Sequence, residues 1–570
     1  MSTTKLENDA KLDPIDTKGE SEHVQHADLI VSEYDGLTRG QAIRKFPRRF
    51  IIGLLMSTAA MYLGYTLTLP GAITANRGFI NHFGTKHNAK GEIELDASHV
   101  GAWNGVRALV VHTRRRALTP QVNLGSQILL QGISPYTAKR FGLKFNLYAL
   151  TGFIIIVSAI LRFSLAVAAD PTQAIVLEIV AKTWEVYLVA KIFCGFSAGF
   201  IGTSVTAYMS ETTTKQFRGI HLSCFSFAFA LGGFLSAIAL QILESTHPLA
   251  YRNAFYSEFA IVGVWIPVMI LLPESPVWYC RNGKHEQAMA SLRRLNGKHD
   301  WFDEEHEYAV FRQGVEESEA LVAKSSNYSY LACFKGTNLR RTLISTIPFS
   351  MQNFVGGPLM FNTAYFLQTV GMNDAFLGNV IVNCVLLFGV FLSFYFVDKA
   401  GRRPLLLMGG IVMCVTNLIV GGMAVLGINT KTGAAMLAMM AIWVLAYALS
   451  CGPIGWLSLV ENSTPVLRTQ TAGIAAIMQS CNGVIFAYCV PLMLSEQYAG
   501  WGAKTGFFFG PLSFLFTILV WFTVPETKDR TYAELDELYE RRIPAWRFNT
   551  TKTAAQDVAE AAAVAHGDRH

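Results

Sequence analysis

The apolar positions of this chain come in long blocks separated by polar stretches. The first runs from Phe50 to Ile73. A helix needs roughly 20 mostly apolar residues to cross the hydrocarbon core of a bilayer. By that rule six spans are predicted near 50–73, 121–138, 145–168, 184–207, 219–241 and 254–273. Six more are predicted near 342–368, 375–397, 404–427, 434–459, 469–495 and 502–524. They are numbered span 1 to span 12. The expected fold is an all-α membrane protein: twelve transmembrane helices in two six-helix, pseudo-symmetric bundles, with a solute cavity between them. The expected domains are a disordered tail (1–45), a first bundle (46–273), a charged linker with short helices (274–341), a second bundle (342–524) and a second tail (525–570).

Composition agrees with this pattern. Of 570 residues, 51% are hydrophobic and 15% charged, and mean hydropathy is +0.32. Soluble domains carry about 25% charge. Disordered, collagen-like and nucleic-acid-binding classes are thereby excluded; the lipid bilayer is the expected partner. The net charge of +6 is small for the length. If the spans alternate, the basic clusters at 44–49, 139–144, 281–294, 340–341, 399–403 and 528–530 share one side. The positive-inside rule makes that side cytoplasmic, with both termini, and the plasma membrane is the expected location. The sequons at Asn327, Asn462 and Asn549 then face the cytoplasm, so no N-glycan is expected. The nine cysteines show no metal-ligand spacing, and no cofactor or metal is expected. No Walker A, nucleophile-elbow or dinucleotide motif occurs in a plausible context, so the chain is not expected to be an enzyme.

One segment breaks the pattern. Residues 106–121 carry Arg107, His112 and Arg114 to Arg116, and a central arginine costs about 2.5–3.5 kcal/mol on insertion scales. Two readings stay open: a long outer loop before a short span 2, or a translated insertion such as a retained intron.

Short motifs recur in the two halves. Asp398-Lys-Ala-Gly-Arg-Arg403 follows span 8, and Lys139-Arg-Phe-Gly-Leu-Lys144 follows span 2. Pro273-Glu-Ser-Pro follows span 6, and Pro525-Glu-Thr-Lys follows span 12. Glu211 precedes Arg218 as Glu461 precedes Arg468. With Gly452-Pro-Ile-Gly-Trp456, these motifs resemble the sugar porter family of the major facilitator superfamily across about residues 46–548. The ending Arg541-Arg-Ile-Pro-Ala-Trp-Arg-Phe548 resembles fungal maltose and α-glucoside permeases.

The resemblance implies transport of a sugar-like solute, a hexose or an α-glucoside, by alternating access. It implies gating roles for Glu211, Arg218, Asp398, Arg402, Glu461 and Arg468. It implies solute contacts for Gln352, Asn353, Asn362, Trp456, Gln479 and Ser226. Amides donate to and accept from hydroxyls, and an aromatic face suits a sugar ring. Two family positions have changed: an amide of span 7 falls on Pro358, and one of span 5 on Ser226. Proton-coupled members carry an acid in span 1 paired with an arginine in span 4. Here those positions hold Thr66 and Lys191, and a hydroxyl does not titrate in range. A facilitator, a transporter whose protons enter elsewhere and a nutrient sensor all stay open, as does another solute such as quinate or a fungal secondary metabolite. The short tail after Glu526 favours transport over sensing. Without an acid on span 1, Lys191 is expected to lose its charge or snorkel towards water.

Overall fold

The structure is a computed structural model. It describes residues 34, 37–87, 91, 93–104, 123–155, 184–213, 215–297, 302–324, 330–370, 372, 374–427, 429–463, 467–528, 530 and 532–553. Segment 106–121 and the side chains of Arg218, Asp398 and Arg468 lie outside the described residues.

Span 1 is formed by Pro47–Met56 and Thr58–Ile73, span 2 by Asn123–Phe141 and span 3 by Leu143–Ile155, and a further helix, Ala97–Asn104, lies between spans 1 and 2 in the chain. Pro47 opens span 1, where its missing N–H removes no helical bond. Span 4 runs from Trp184–Phe200 through a π-turn, Ile201–Val205, into Thr206–Thr212. Span 5 is Lys215–Thr246, and span 6 is Arg252–Tyr256 with Glu258–Leu271. Span 7 comes in three pieces, Gly336–Phe354, Gly357–Phe361 and Thr363–Thr369. Span 8 is Ala375–Ala400, span 9 Arg402–Val425, span 10 Thr430–Leu449 with Cys451–Glu461, span 11 Arg468–Leu494 and span 12 Gly506–Thr523. Among the described residues, nine helices are long and apolar enough to cross a membrane. Spans 2, 3 and 7 fall short, through residues outside the described set (spans 2 and 3) or through breaks and polar residues (span 7).

Packing needs small residues where backbones meet. A Cβ on Gly64 would lie 1.9 Å from the Phe229 carbonyl oxygen, and one on Gly232 1.9 Å from that of Met61. These glycines let spans 1 and 5 touch. The bundles meet along spans 5 and 8 and along spans 2 and 11. Large apolar side chains such as Phe388, Phe391, Leu515 and Phe522 face outward. In lipid such a surface carries no hydration penalty.

The two ends of the molecule differ. At one end lie the linker helices, Pro276–Arg281, His285–Asn296 and Glu304–Lys324, and the tail helix Tyr532–Glu540. The tail docks under span 7: Leu535, Leu538, Tyr539 and Phe548 bury against Ile344, and Arg341 pairs with Asp536 at 2.5 Å. This is the linker end. At the other end, Lys86–His87 and Ile93–Glu94 form a small antiparallel hairpin. This is the hairpin end.

Candidate functional site: a broken helix and an amide cluster

Span 7 unwinds after Phe354. Gly356 sits at φ +105, a conformation that glycine adopts without steric cost. The break frees the Val355 carbonyl, which accepts from Asn417 Nδ2 at 3.0 Å and from Trp443 Nε1 at 3.0 Å. Irregular backbone at membrane depth survives only when such partners satisfy it. One turn before the break, Gln352 and Asn353 meet spans 10 and 11. Gln352 Nε2 donates to the Cys451 carbonyl at 2.9 Å, and its Oε1 accepts from the Tyr447 hydroxyl at 3.3 Å and from Gln479 Nε2 at 3.4 Å. Asn353 Nδ2 donates to the backbone and side-chain oxygens of Gln479 at 2.9 and 3.1 Å. Gly455 makes the approach possible, since a Cβ there would lie 2.4 Å from Gln352 Nε2. Trp443 stacks on Tyr447, with ring centres 5.5 Å apart.

Three of the six solute-contact candidates, Gln352, Asn353 and Gln479, thus form one cluster. Trp456 lies nearer the linker end. Its ring packs edge-on to Phe349 at 4.6 Å and to Phe225 of the first bundle at 6.2 Å, with 37% of the residue exposed. Asn362 lies beyond the break, donating to the Pro358 carbonyl at 3.0 Å. Ser226 is half-buried on span 5. Sequence reasoning missed Tyr447, Asn417 and Trp443. The available signal was the Gly356-Gly357 pair, a place to look for carbonyl-capping donors.

Thr66 is buried, and its hydroxyl donates to the Tyr62 and Leu63 carbonyls of its own helix. Lys191 does not snorkel: it is 1% exposed, with Nζ 5.1 Å from the centre of the Tyr187 ring. The Tyr187 ring face is one attractive neighbour of this ammonium. Glu244 accepts from Asn76 Nδ2 at 2.7 Å. Glu258 is buried on span 6, next to Ser257, whose hydroxyl is 2.5 Å from that of Tyr65.

The repeated motifs build matching turns at the linker end. In the first bundle Gly142 sits at φ +100, and Glu274 accepts from the Lys144 amide at 2.9 Å. In the second, Gly401 sits at φ +91, and Glu526 accepts from the Arg402 and Arg403 amides at 3.0 and 3.1 Å. The next residue in each motif donates to a further glutamate: Ser275 to Glu211 and Thr527 to Glu461, both at 2.5 Å. Burial pushes the Glu274 carboxyl above its ordinary range. The second bundle adds an ion pair, Arg402 to Glu461 at 2.9 Å. The matching first-bundle position is Leu143, which is buried. Both glutamates are thus engaged within their own bundle.

At the hairpin end a polar clasp joins the bundles. Gln497 Nε2 donates to Glu94 at 2.8 Å and to the Leu95 carbonyl at 2.9 Å, and the Tyr498 hydroxyl donates to Asp96 at 3.1 Å. Lys86 pairs with Asp96 at 3.0 Å. Partial burial pushes the Asp96 carboxyl up, but hydrogen bonds from Ser98 and Lys86 outweigh this and bring it down to about 2. Below the clasp, Gln368 Nε2 donates to the Ala75 carbonyl at 3.3 Å, and Ser480 donates to Gln131 at 3.2 Å.

Known proteins share this architecture. The proton:xylose symporter XylE bound to 6-bromo-6-deoxy-D-glucose superposes with a TM-score of 0.66 at 20% identity, covering 87% of this chain and 100% of that one. Among curated sequences, the MFS transporter fmqE of Aspergillus fumigatus is 28% identical over 92% of this chain and 93% of its own length. The general alpha-glucoside permease of Saccharomyces cerevisiae is 27% identical over 91% of this chain and 80% of its own. The family model for sugar (and other) transporters matches residues 52–539. A multi-pass membrane protein with these repeated turns, matched over nearly all of its length, is a transporter and not an enzyme: the chain belongs to the sugar (and other) transporter family.

Proposed function

We propose that this protein moves a hexose or an α-glucoside across the plasma membrane by alternating access, with the linker end in the cytoplasm. The observation that carries this reading is the cluster of Gln352, Asn353, Gln479 and Tyr447 beside the broken span 7. Its amides and hydroxyl can exchange hydrogen bonds among themselves for hydrogen bonds to sugar hydroxyls. Trp456, part exposed at the seam between bundles, offers a ring face. The likeness to the alpha-glucoside permease supports this solute class. Radiolabelled uptake of a panel of sugars in a transport-deficient yeast tests it; no uptake of any sugar, with the protein at the surface, overturns it.

Transport is facilitated diffusion, or coupled to protons only weakly. Thr66 donates its hydroxyl to its own helix backbone, so the span-1 position that would carry a proton holds a group that does not titrate. A pH electrode in lightly buffered cells checks this. Substrate-induced alkalinisation, with accumulation abolished by a protonophore, would point to a carboxylate elsewhere, and buried Glu258 is the first to mutate. The replacement of two family amides by Pro358 and Ser226 favours a second reading, a different solute such as quinate or a fungal secondary metabolite.

A further inference from the structure

Trp443 and Tyr447 lie four residues apart on span 10, so they sit one above the other on one face of the helix Thr430–Leu449. Their rings are nearly parallel, with 13° between planes and centres 5.5 Å apart. Each ring turns its polar group to span 7. The indole Nε1 donates to the Val355 carbonyl at 3.0 Å, at the break. The phenol hydroxyl donates to Gln352 Oε1 at 3.3 Å, one turn before the break. One stacked pair therefore touches both the break and the amide on the solute side of it.

The Gln352 amide has two donor and two acceptor positions, and all four are in use. Nε2 donates to the Cys451 and Gly452 carbonyls at 2.9 and 3.3 Å, and Oε1 accepts from Tyr447 and Gln479. A solute hydroxyl is therefore admitted by exchange. Gln479 is itself a solute-contact candidate; when it turns to the solute, Tyr447 is the partner left to hold Oε1. The direction of that hydroxyl is set by its ring, and among the described residues Trp443 is the aromatic neighbour stacked on it. Trp443 is buried. A cavity of about 30 Å³ lies beside it, lined in part by Gly356, Asn417 and Trp443. Packing is incomplete on that side, so the indole depends on its N–H bond and on its stack. The Val355 carbonyl has a second donor in Asn417 Nδ2 at 3.0 Å, so the break keeps one cap without the indole.

We propose that Trp443 is a positioning residue for the solute: its ring face holds the Tyr447 hydroxyl on Gln352 Oε1, and its N–H ties that amide to the break in span 7. This rests on the reading of Gln352 as a solute contact and assigns what orients it.

The test expresses full-length variants in a transport-deficient yeast. Uptake of radiolabelled glucose and maltose is read as KM and as maximal rate per protein at the surface, with melting of the purified protein alongside. Tyr447→Phe keeps the stack and removes the hydroxyl, so KM should rise about two- to tenfold, the range of one lost neutral hydrogen bond. Trp443→Leu removes the stack and should raise KM by a similar factor at an almost unchanged maximal rate. In the Tyr447→Phe background, Trp443→Leu should raise KM no further, because the hydroxyl it positions is gone. Trp443→Met, closer in volume, takes its place if Trp443→Leu fails to fold. Trp443→Phe keeps a ring face and loses the N–H, so melting should fall while KM stays within about twofold. If Trp443→Leu lowers melting but leaves KM as it was, or if the two KM effects multiply in the double variant, Trp443 only packs and the proposal fails. Unchanged melting in Trp443→Phe overturns the tie to the break. Gln352→Ala separates these failures from failure of the site. An unchanged KM in that variant, or no uptake of either sugar by the wild-type chain, overturns the site reading and this proposal with it. A raised KM there beside an unchanged one in Trp443→Leu overturns the positioning role alone.

Discussion

The two bundles build the same turn with different chemistry. In each, a left-handed glycine lets a glutamate from the far end of the bundle approach backbone amides, and a hydroxyl next to that glutamate caps a second, buried one. Only the second bundle adds the guanidinium of Arg402; the first presents Leu143 instead. The geometric part of the motif depends on backbone and is present in both halves. Among the described residues, the ion pair at this turn is found in the second bundle alone.

The largest test of this contrast makes the second bundle resemble the first. Arg402→Leu removes one partner of a mostly buried pair, which costs on the order of 3 kcal/mol. Thermal melting should fall, and uptake should slow more than solute binding weakens. Wild-type melting would mean that the ion pair adds nothing to the turn. Next come Gly142→Ala and Gly401→Ala. Each places a Cβ 2.3 or 2.6 Å from a carboxylate oxygen, at a φ that non-glycine residues resist. The expected loss is about 1–3 kcal/mol in each, and similar melting shifts would show that the backbone part is shared. Within the solute path, Gln352→Ala should lower apparent affinity several-fold, more than Ser226→Ala, since a neutral hydrogen bond contributes about 0.5–1.5 kcal/mol. Equal effects on uptake KM would place the first bundle at the site as firmly as the second. The smallest change is expected from Glu211→Gln. The amide oxygen still accepts from Ser275, and among the described residues no ion pair to Glu211 within hydrogen-bond distance is lost, so melting should shift less than in the other variants.

Much of this arrangement was legible in the sequence. Apolar blocks located the spans because the bilayer demands length and composition. The paired Glu274 and Glu526 motifs were visible because they repeat, and Gln352, Asn353 and Gln479 converge in the structure. The helix break at Val355 was not legible, since nothing in local composition says which donors will cap a freed carbonyl; Asn417 and Trp443 come from two other helices. Nor was the clasp foreseen, because a polar loop has no period to read. The burial of Lys191 beside Tyr187 goes against snorkelling, one of the two outcomes expected of it, and was not legible because a ring one turn away looks like any other span residue in the sequence.

The clasp has a consequence for timing. Gln497 and Tyr498 of the second bundle hold Glu94, Leu95 and Asp96 of the first with polar contacts that water can replace. Separation at the hairpin end is therefore governed by the bathing medium. Added salt screens the Lys86–Asp96 pair, but that pair lies within the first bundle and touches the clasp through Asp96. Because the Asp96 carboxyl sits at about 2 in the folded chain, below its ordinary value of about 3.9, its contribution is complete above about pH 4 and fades only as pH falls towards 2. Over the mildly acidic range Asp96 stays ionised and remains an acceptor for Tyr498, so acidity on that side leaves this contact in place.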